Sequence, residues 1–147
     1  MPELLARLQA DLTSARKAHD KPRVMLLGSI ISDVRNREIE LKRELTDDDV
    51  TDVLRKGVKR RRESIAMFEQ GERDDLAAVE RNEVEALDTY LPPAVSDDAI
   101  RGVVGAAIAG GATNVGAVMG KVMSQLKGRA DGGAINAIVR EELAKRA

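Results

Sequence analysis

Two serine–lysine pairs are the first residues whose types and spacing resemble a catalytic arrangement. Ser14 precedes Lys17, and Ser124 precedes Lys127, at the spacing of the S-x-x-K hydrolases. A serine–lysine nucleophile needs a desolvated lysine and donors that stabilise the oxyanion. Both pairs fall near predicted helix ends, where water reaches the lysine, and the companion motifs are missing. We therefore interpret the spacing as coincidental.

A phosphate-binding loop is the second candidate, and it fails at two positions. Gly120 and Lys121 match the end of the G-x-x-x-x-G-K-[ST] pattern, but Val115 stands where the first glycine belongs and Val122 where the hydroxyl belongs. There is also no dinucleotide-binding fingerprint and no strand pattern that could carry one. We predict no catalytic residue and no cofactor.

The single histidine offers little for catalysis or metal binding. His19 precedes Asp20 at a predicted helix junction, where the imidazole would face the negative end of one helix and the carboxylate would cap the next. The chain has no cysteine, so a structural zinc site is nearly excluded. We predict no metal site.

The composition favours packed helices. Phe68 and Tyr90 are the only aromatic residues among 147, so the core must be aliphatic, which favours helices over a β-sandwich. Charged residues make up 33% of the chain, yet the net charge is −1, which argues against strong non-specific binding to nucleic acid. The longest apolar run, residues 103–109, is too short to span a bilayer, and the N-terminus lacks the features of a signal peptide. We expect a cytoplasmic protein with no membrane contact.

Helical periodicity predicts four helices before the prolines at 92 and 93. Apolar residues recur at helical spacing through this region. Asp20 and Thr46 are predicted to cap the second and third helices. Gly71 is predicted to end the third helix in the left-handed conformation, and a fourth helix is predicted over about 74–90.

The prolines at 92 and 93 mark a domain boundary. Each disfavours helix in the residue before it and lacks a backbone donor, and Ser96 can cap the helix that follows. Nine of the twelve glycines come after this point. We predict an all-α chain with an N-terminal helical domain, 1–92, and a three-helix tail domain, 93–147. The tail helices are expected at about 97–109, 114–126 and 131–146.

The densest basic run, residues 56–64, is predicted to lie along the third helix. Arg61 falls nearly in line with buried apolar positions, so we expect it to be partly buried and paired with Glu80 or Glu83 of the fourth helix. The remaining basic residues form a second candidate surface for RNA or a partner, weighed against a simple solvated face. This surface consists of Lys59, Arg60 and Arg62.

The segment KGRADGGAINAIV, residues 127–139, is predicted to be a turn between the last two helices. Gly128 would end one helix, Asp131 would cap the next, and Gly132 would lie in its first turn. The same segment could bind RNA, because basic side chains and the amides of a helix start surround it. The candidate RNA-binding residues are Lys121, Lys127, Arg129, Asn136 and Arg140. The region has no aromatic residue for stacking on bases, so contact would be with the backbone of a folded RNA.

The C-terminal block MGKVMSQLKGRADGGAINAIVREEL, residues 119–143, resembles the tail domain of the B subunit of the glutamine-dependent aspartyl/glutamyl-tRNA amidotransferase. The whole chain resembles the stand-alone YqeY family still more closely, through segments such as DKPRVMLLGSIISDVRNREIE, KRRRESIAMFEQGERDDL and YLPPAVSDD. The resemblance implies an all-α fold with a GatB/YqeY tail. It also implies a tail that contacts the outside of tRNA, without the catalytic portion of the amidotransferase.

Three functions of different classes are therefore open. The first is a non-catalytic, translation-associated accessory module that binds tRNA. The second is a helical adaptor without RNA binding, whose partner is an amidotransferase or translation-machinery protein. The third, which the resemblance alone suggests, is carbon–nitrogen ligase activity with glutamine as amide donor. The sequence offers no site for this third activity, so we expect no intrinsic enzymatic function.

Overall fold

The computed structural model describes residues 1–93, 95–126 and 129–146. Within these ranges the chain forms seven helices and no strand, which confirms the predicted all-α fold. The helices are α1 (Glu3–Lys17), α2 (Lys21–Leu41), α3 (Asp47–Gln70), α4 (Asp74–Asp88), α5 (Asp97–Ala109), α6 (Val115–Leu126) and α7 (Gly132–Lys145).

Side-chain caps define several helix starts. Asp20 accepts a hydrogen bond from the Arg23 amide at 3.2 Å, and Ser96 accepts one from the Ala99 amide at 3.1 Å. Thr46 forms a capping box with the third residue of α3, in which each side chain accepts from the other residue's amide. Such caps satisfy amides that have no partner within the helix and stabilise its first turn by about 1 kcal/mol.

Three helix ends use left-handed residues that are not glycine. His19, Lys42 and Glu72 have φ values of 55°, 53° and 57°. The prediction for Gly71 is wrong, because this residue has φ −83° and the left-handed turn comes one residue later, at Glu72. A side chain in this conformation costs about 1–2 kcal/mol, which the surrounding packing must offset.

The first compact unit comprises residues 1–91 and contains α1 to α4. Helix α3 packs against α1, α2 and α4, and α1 packs against α2. The core between them is almost entirely aliphatic, as the composition predicts. Its fully buried large side chains are Leu5, Leu8, Leu27, Ile30, Val34, Val50, Leu54 and Leu87.

Tyr90 links the C-terminal end of this unit to α1. Its ring is only 5% exposed, and its hydroxyl donates a hydrogen bond to Asp11. The Arg7 guanidinium lies 4.5 Å from the ring centroid and donates to the Thr89 carbonyl at 3.3 Å. Burial, followed by the bond to Asp11, raises the pKa of the Tyr90 phenol. The predicted fourth helix ends at Asp88, so Tyr90 lies in a turn.

The second compact unit comprises residues 92–147 and contains α5, α6 and α7. Each of these helices packs against the other two. Ile135, Ile138 and Val139 of α7 face this core. They meet Val104 of α5 and Val122 of α6, both fully buried. This unit therefore has its own hydrophobic core.

Candidate nucleic-acid interface

The basic run of α3 is largely neutralised by acids of neighbouring helices. Three consecutive arginines each form an ion pair: Arg60 with Asp33 of α2 at 3.2 Å, Arg61 with Glu83 of α4 at 2.7 Å, and Arg62 with Asp88 of α4 at 3.7 Å. Arg61 is the least exposed of the three, at 15%. The expectation that it pairs with an acid of the fourth helix is confirmed.

The second candidate surface is divided rather than continuous. Arg60 turns towards α2 and Arg62 towards α4, because residues two apart on a helix point about 200° away from each other. Lys59 lines an open groove between α2 and α3. The structure therefore does not bring Lys59, Arg60 and Arg62 together as one free basic patch.

In the tail, one group of basic residues is held by two adjacent acids. Glu142 is 9% exposed and accepts hydrogen bonds from Arg146 at 2.9 Å, Lys145 at 3.2 Å and Arg101 at 3.2 Å. Arg101 also pairs with Glu141 at 3.1 Å. The bond from Arg146, followed by that from Lys145, lowers the pKa of Glu142. Arg101 thereby joins α5 to α7, while Lys145 and Arg146 pair with Glu142 at the end of α7 itself.

The other described cations of the tail keep their charge uncompensated. No carboxylate of the described residues forms an ion pair with Lys121, Arg129 or Arg140, and all three side chains are exposed. Lys127 and Gly128, which the sequence analysis placed in the turn, lie outside the described residues. The positive charge available to a ligand in the described tail therefore coincides with the candidate RNA-binding residues.

Local contacts orient these residues. The Arg140 Nε donates to Asn136 Oδ1 at 2.8 Å, one turn earlier on α7. A β-carbon at Gly110 would lie 3.7 Å from Lys121 Nζ, so this ammonium lies beside the partly negative end of α5. Among the described residues, no hydrogen bond or ion pair joins Arg129 to Lys121, Asn136 or Arg140.

The start of α7 lies next to Arg129. The Arg129 amide donates to the Leu126 carbonyl at 2.9 Å, and its own carbonyl accepts from the Val95 amide at 3.2 Å. Asp131 caps α7 by accepting from the Ala134 amide at 3.2 Å. Gly132 follows, with no atom within 4 Å of the place a side chain would occupy. The space beside Gly132 is therefore open, whereas a β-carbon at Gly133 would lie 3.0 Å from the Asp131 carboxylate.

Other kinds of site find no support in the described parts of the chain. No group of three or more histidine, cysteine, aspartate or glutamate residues there could hold a metal ion. None of the helices described is both long enough and apolar enough to cross a membrane.

Sequence reasoning did not single out Glu142 or the Asp11–Tyr90 contact. Glu142 precedes Lys145 and Arg146 by three and four residues, a spacing that predicts local ion pairs. Its third partner, Arg101, is 41 residues away in the sequence. That contact depends on the packing of α5 against α7, and helical periodicity cannot supply it.

The architecture defines the class: an all-α protein in which a four-helix unit precedes a three-helix unit. The particular family follows from comparison with known proteins. Residues 5–143 match the model of the family described as Yqey-like protein, so the chain belongs to the YqeY-like family.

Several fungal proteins are similar to this chain. It is 33% identical over 132 residues to "Altered inheritance of mitochondria protein 41, mitochondrial" of Pyrenophora tritici-repentis, covering 86% of this chain and 73% of that protein. It is 36% identical over 100 residues to the protein of the same name in Clavispora lusitaniae, covering 67% and 58%. The Kluyveromyces lactis protein is 36% identical over 87 residues, covering 58% and 47%. The chain thus spans about half to three quarters of these relatives.

Proposed function

We propose that this YqeY-like chain is a non-catalytic accessory module that binds tRNA through its tail. One observation carries the proposal. Once the ion pairs of the described residues are accounted for, Lys121, Arg129 and Arg140 remain as free cations in the tail. The three consecutive arginines of the first unit, by contrast, are each paired with an acid.

The number of free cations supports a modest, salt-sensitive interaction with phosphates. Three phosphate contacts correspond to a slope of about −2 to −3 when the logarithm of the binding constant is plotted against that of the salt concentration. The residues available also favour a folded RNA over a single strand, because neither aromatic side chain lies in the tail and single strands are held by stacking on aromatic rings.

The link to translation comes from the resemblance of residues 119–143 to the tail of the tRNA-dependent amidotransferase. On this proposal the protein partners are amidotransferase or translation-machinery proteins. Any carbon–nitrogen ligase activity with glutamine as donor belongs to such an assembly. This chain would contribute RNA contact only.

The test is a titration of the purified chain with total tRNA at two salt concentrations. The variant Arg129→Glu/Arg140→Glu removes two free cations of the tail. The matched control, Lys17→Glu/Lys21→Glu, makes the same charge change at two exposed lysines of the first unit that have no acid partner among the described residues.

We expect binding that weakens with salt, is lost in the tail variant at unchanged helicity, and persists in the control. Binding of the tail variant as tight as that of the natural chain would remove the proposed site. A natural chain that fails to bind at low salt would remove the proposed function.

The proposed compartment is the cytoplasm, as the sequence analysis expects. The names of the fungal relatives assign those proteins to mitochondria, so a mitochondrial location is the competing proposal. Microscopy of a C-terminally tagged chain in its own cell distinguishes the two.

A further inference from the structure

The backbone of Arg129 is held on both sides by hydrogen bonds, whereas its side chain is exposed and free of ion pairs among the described residues. The Arg129 amide donates to the Leu126 carbonyl at 2.9 Å, and the Arg129 carbonyl accepts from the Val95 amide at 3.2 Å. Because each peptide unit is planar, bonds that hold the units before and after Arg129 also fix the direction of its Cα–Cβ bond. The backbone therefore sets where the free guanidinium points.

The bond from Val95 differs in kind from the bond to Leu126. The bond to Leu126 is local and closes a turn after α6. The bond from Val95 joins that turn to the segment that leads into α5. Among the residues that the structure describes, it is the only backbone-to-backbone hydrogen bond between segments distant in the sequence. An all-α chain has no ladder of such bonds, so the place where one forms is specific.

Both neighbours of this bond are anchored to the core of the tail. Val95 is half-buried and packs against that core, and the next residue, Ser96, caps α5 through the Ala99 amide at 3.1 Å. Ala130 also packs against the core, directly after Arg129. The Val95 amide is thus presented from a fixed point, and Arg129 is held between anchored residues with its side chain in solvent.

We propose that Val95 is a positioning residue for RNA: its backbone amide holds Arg129 so that the guanidinium meets a phosphate of the bound tRNA. This inference rests on the function proposed above for the tail. A guanidinium binds phosphate through a planar fork of donors, which requires a defined direction of approach. A backbone that is ordered before binding also lowers the entropy lost when the complex forms. Val95 itself acts from within and makes no contact with RNA.

The test separates the Val95 amide from the Val95 side chain. Val95→Pro removes the N–H, whereas the matched control, Val95→Ala, keeps the donor and shortens the side chain. A second variant replaces the amide at position 95 by an ester, which removes the N–H and keeps the valine side chain. All are made in the full chain, and unchanged helicity is verified for each.

The first measurement needs no RNA. The natural chain has no cysteine, so Arg129→Cys carries a single nitroxide spin label whose motion is read by electron paramagnetic resonance. We expect the label to move faster when Val95→Pro or the ester is added, and to move as before when Val95→Ala is added. Equal motion in all of these chains would overturn the inference, whether or not the chain binds tRNA.

The second measurement is the salt dependence of tRNA binding, which reports the number of phosphate contacts rather than overall stability. Loss of one contact makes the slope of log binding constant against log salt concentration shallower by about 1. We expect this change for Val95→Pro, for the ester and for Arg129→Gln. The combined variant Val95→Pro/Arg129→Gln should show no further change, because both substitutions remove the same contact.

A natural slope in Val95→Pro and in the ester would overturn the positioning role. So would a further loss in the combined variant, which would show that residue 95 acts through the tail in general. A natural chain that fails to bind tRNA, while Val95→Pro still frees the label, would overturn the proposed function and with it the role of Val95 in RNA binding.

Discussion

The Nε of Arg61 lies 2.7 Å from Glu83 Oε2, and this pair joins α3 to α4. Arg61 also donates to the Gly57 carbonyl one turn earlier, at 3.1 Å. A β-carbon at Gly57 would lie only 3.3 Å from the Arg61 guanidinium, so the glycine leaves room for it. Among the three consecutive arginines, Arg61 is the one whose side chain is largely buried.

Removing one partner of this pair should destabilise the first unit. Arg61→Met or Glu83→Gln leaves a partly buried charge without its partner, and we expect a loss of about 1–3 kcal/mol in the free energy of unfolding. The double variant should lose less free energy of unfolding than the two single variants added together, because it leaves no charged group without its partner. Urea denaturation measures all three. Simple additivity of the single losses would contradict a direct interaction.

Tyr90 should make stability fall at high pH. Its pKa is raised by burial and by the bond to Asp11, so the folded state holds the phenolic proton more tightly than the unfolded state. This contribution is complete below about pH 10, the pKa of a free tyrosine, and is lost as the pH rises through the folded pKa.

The variant Tyr90→Phe isolates this effect, because it keeps the ring beneath Arg7 and removes the hydroxyl. We expect it to be about 1 kcal/mol less stable than the natural chain at neutral pH, with the difference shrinking above pH 10. Chemical denaturation at several pH values measures the difference. A gap that stays constant through the alkaline range would show that the phenol does not titrate as described.

The ion pairs of Glu142 should slow amide hydrogen exchange in the tail helices α5 and α7. Glu142→Gln retains the shape but weakens the hold on Arg101, Lys145 and Arg146, so we expect faster amide hydrogen exchange in α5 and α7 at neutral pH. The folded pKa of Glu142 is lowered, so its contribution is present above about pH 4.3 and is lost as the pH falls through the folded value. The two chains should therefore exchange more alike in acid. Unchanged exchange in α5 at neutral pH would mean that the Arg101 contact does not hold the helices together.

Much of the helical architecture could be predicted from local signals. Thr46 and Ser96 are capping residues followed by acids, and they mark the starts of α3 and α5 because those chemical requirements are local. The sequence predicts that the Arg61 side chain points towards the core, because Arg61 lies nearly in line with Val58 in the helical period. The sequence narrows its acidic partner to Glu80 or Glu83. The choice between these two depends on how α4 is rotated about its axis, which local signals do not give.

Contacts between residues far apart in the sequence could not be predicted from local signals. Arg60 and Arg62 point to opposite sides by helical geometry, yet only the packing of α3 between α2 and α4 supplies an acid on each side. Gly71 shows that a local signal can also mislead: glycine is the usual left-handed residue, but Gly71 follows the end of α3 with φ −83°, and the left-handed residue is Glu72.

The left-handed residues at the ends of α1, α2 and α3 bear on how the first unit folds. His19, Lys42 and Glu72 each hold a conformation that an isolated chain disfavours. Each of these turns is therefore unfavourable until the helices that it joins pack together. We infer that collapse of the aliphatic core comes first and bends the chain at these points afterwards. Because the contacts of α1 with α2 and of α3 with α4 join neighbours in sequence, that collapse should still be fast.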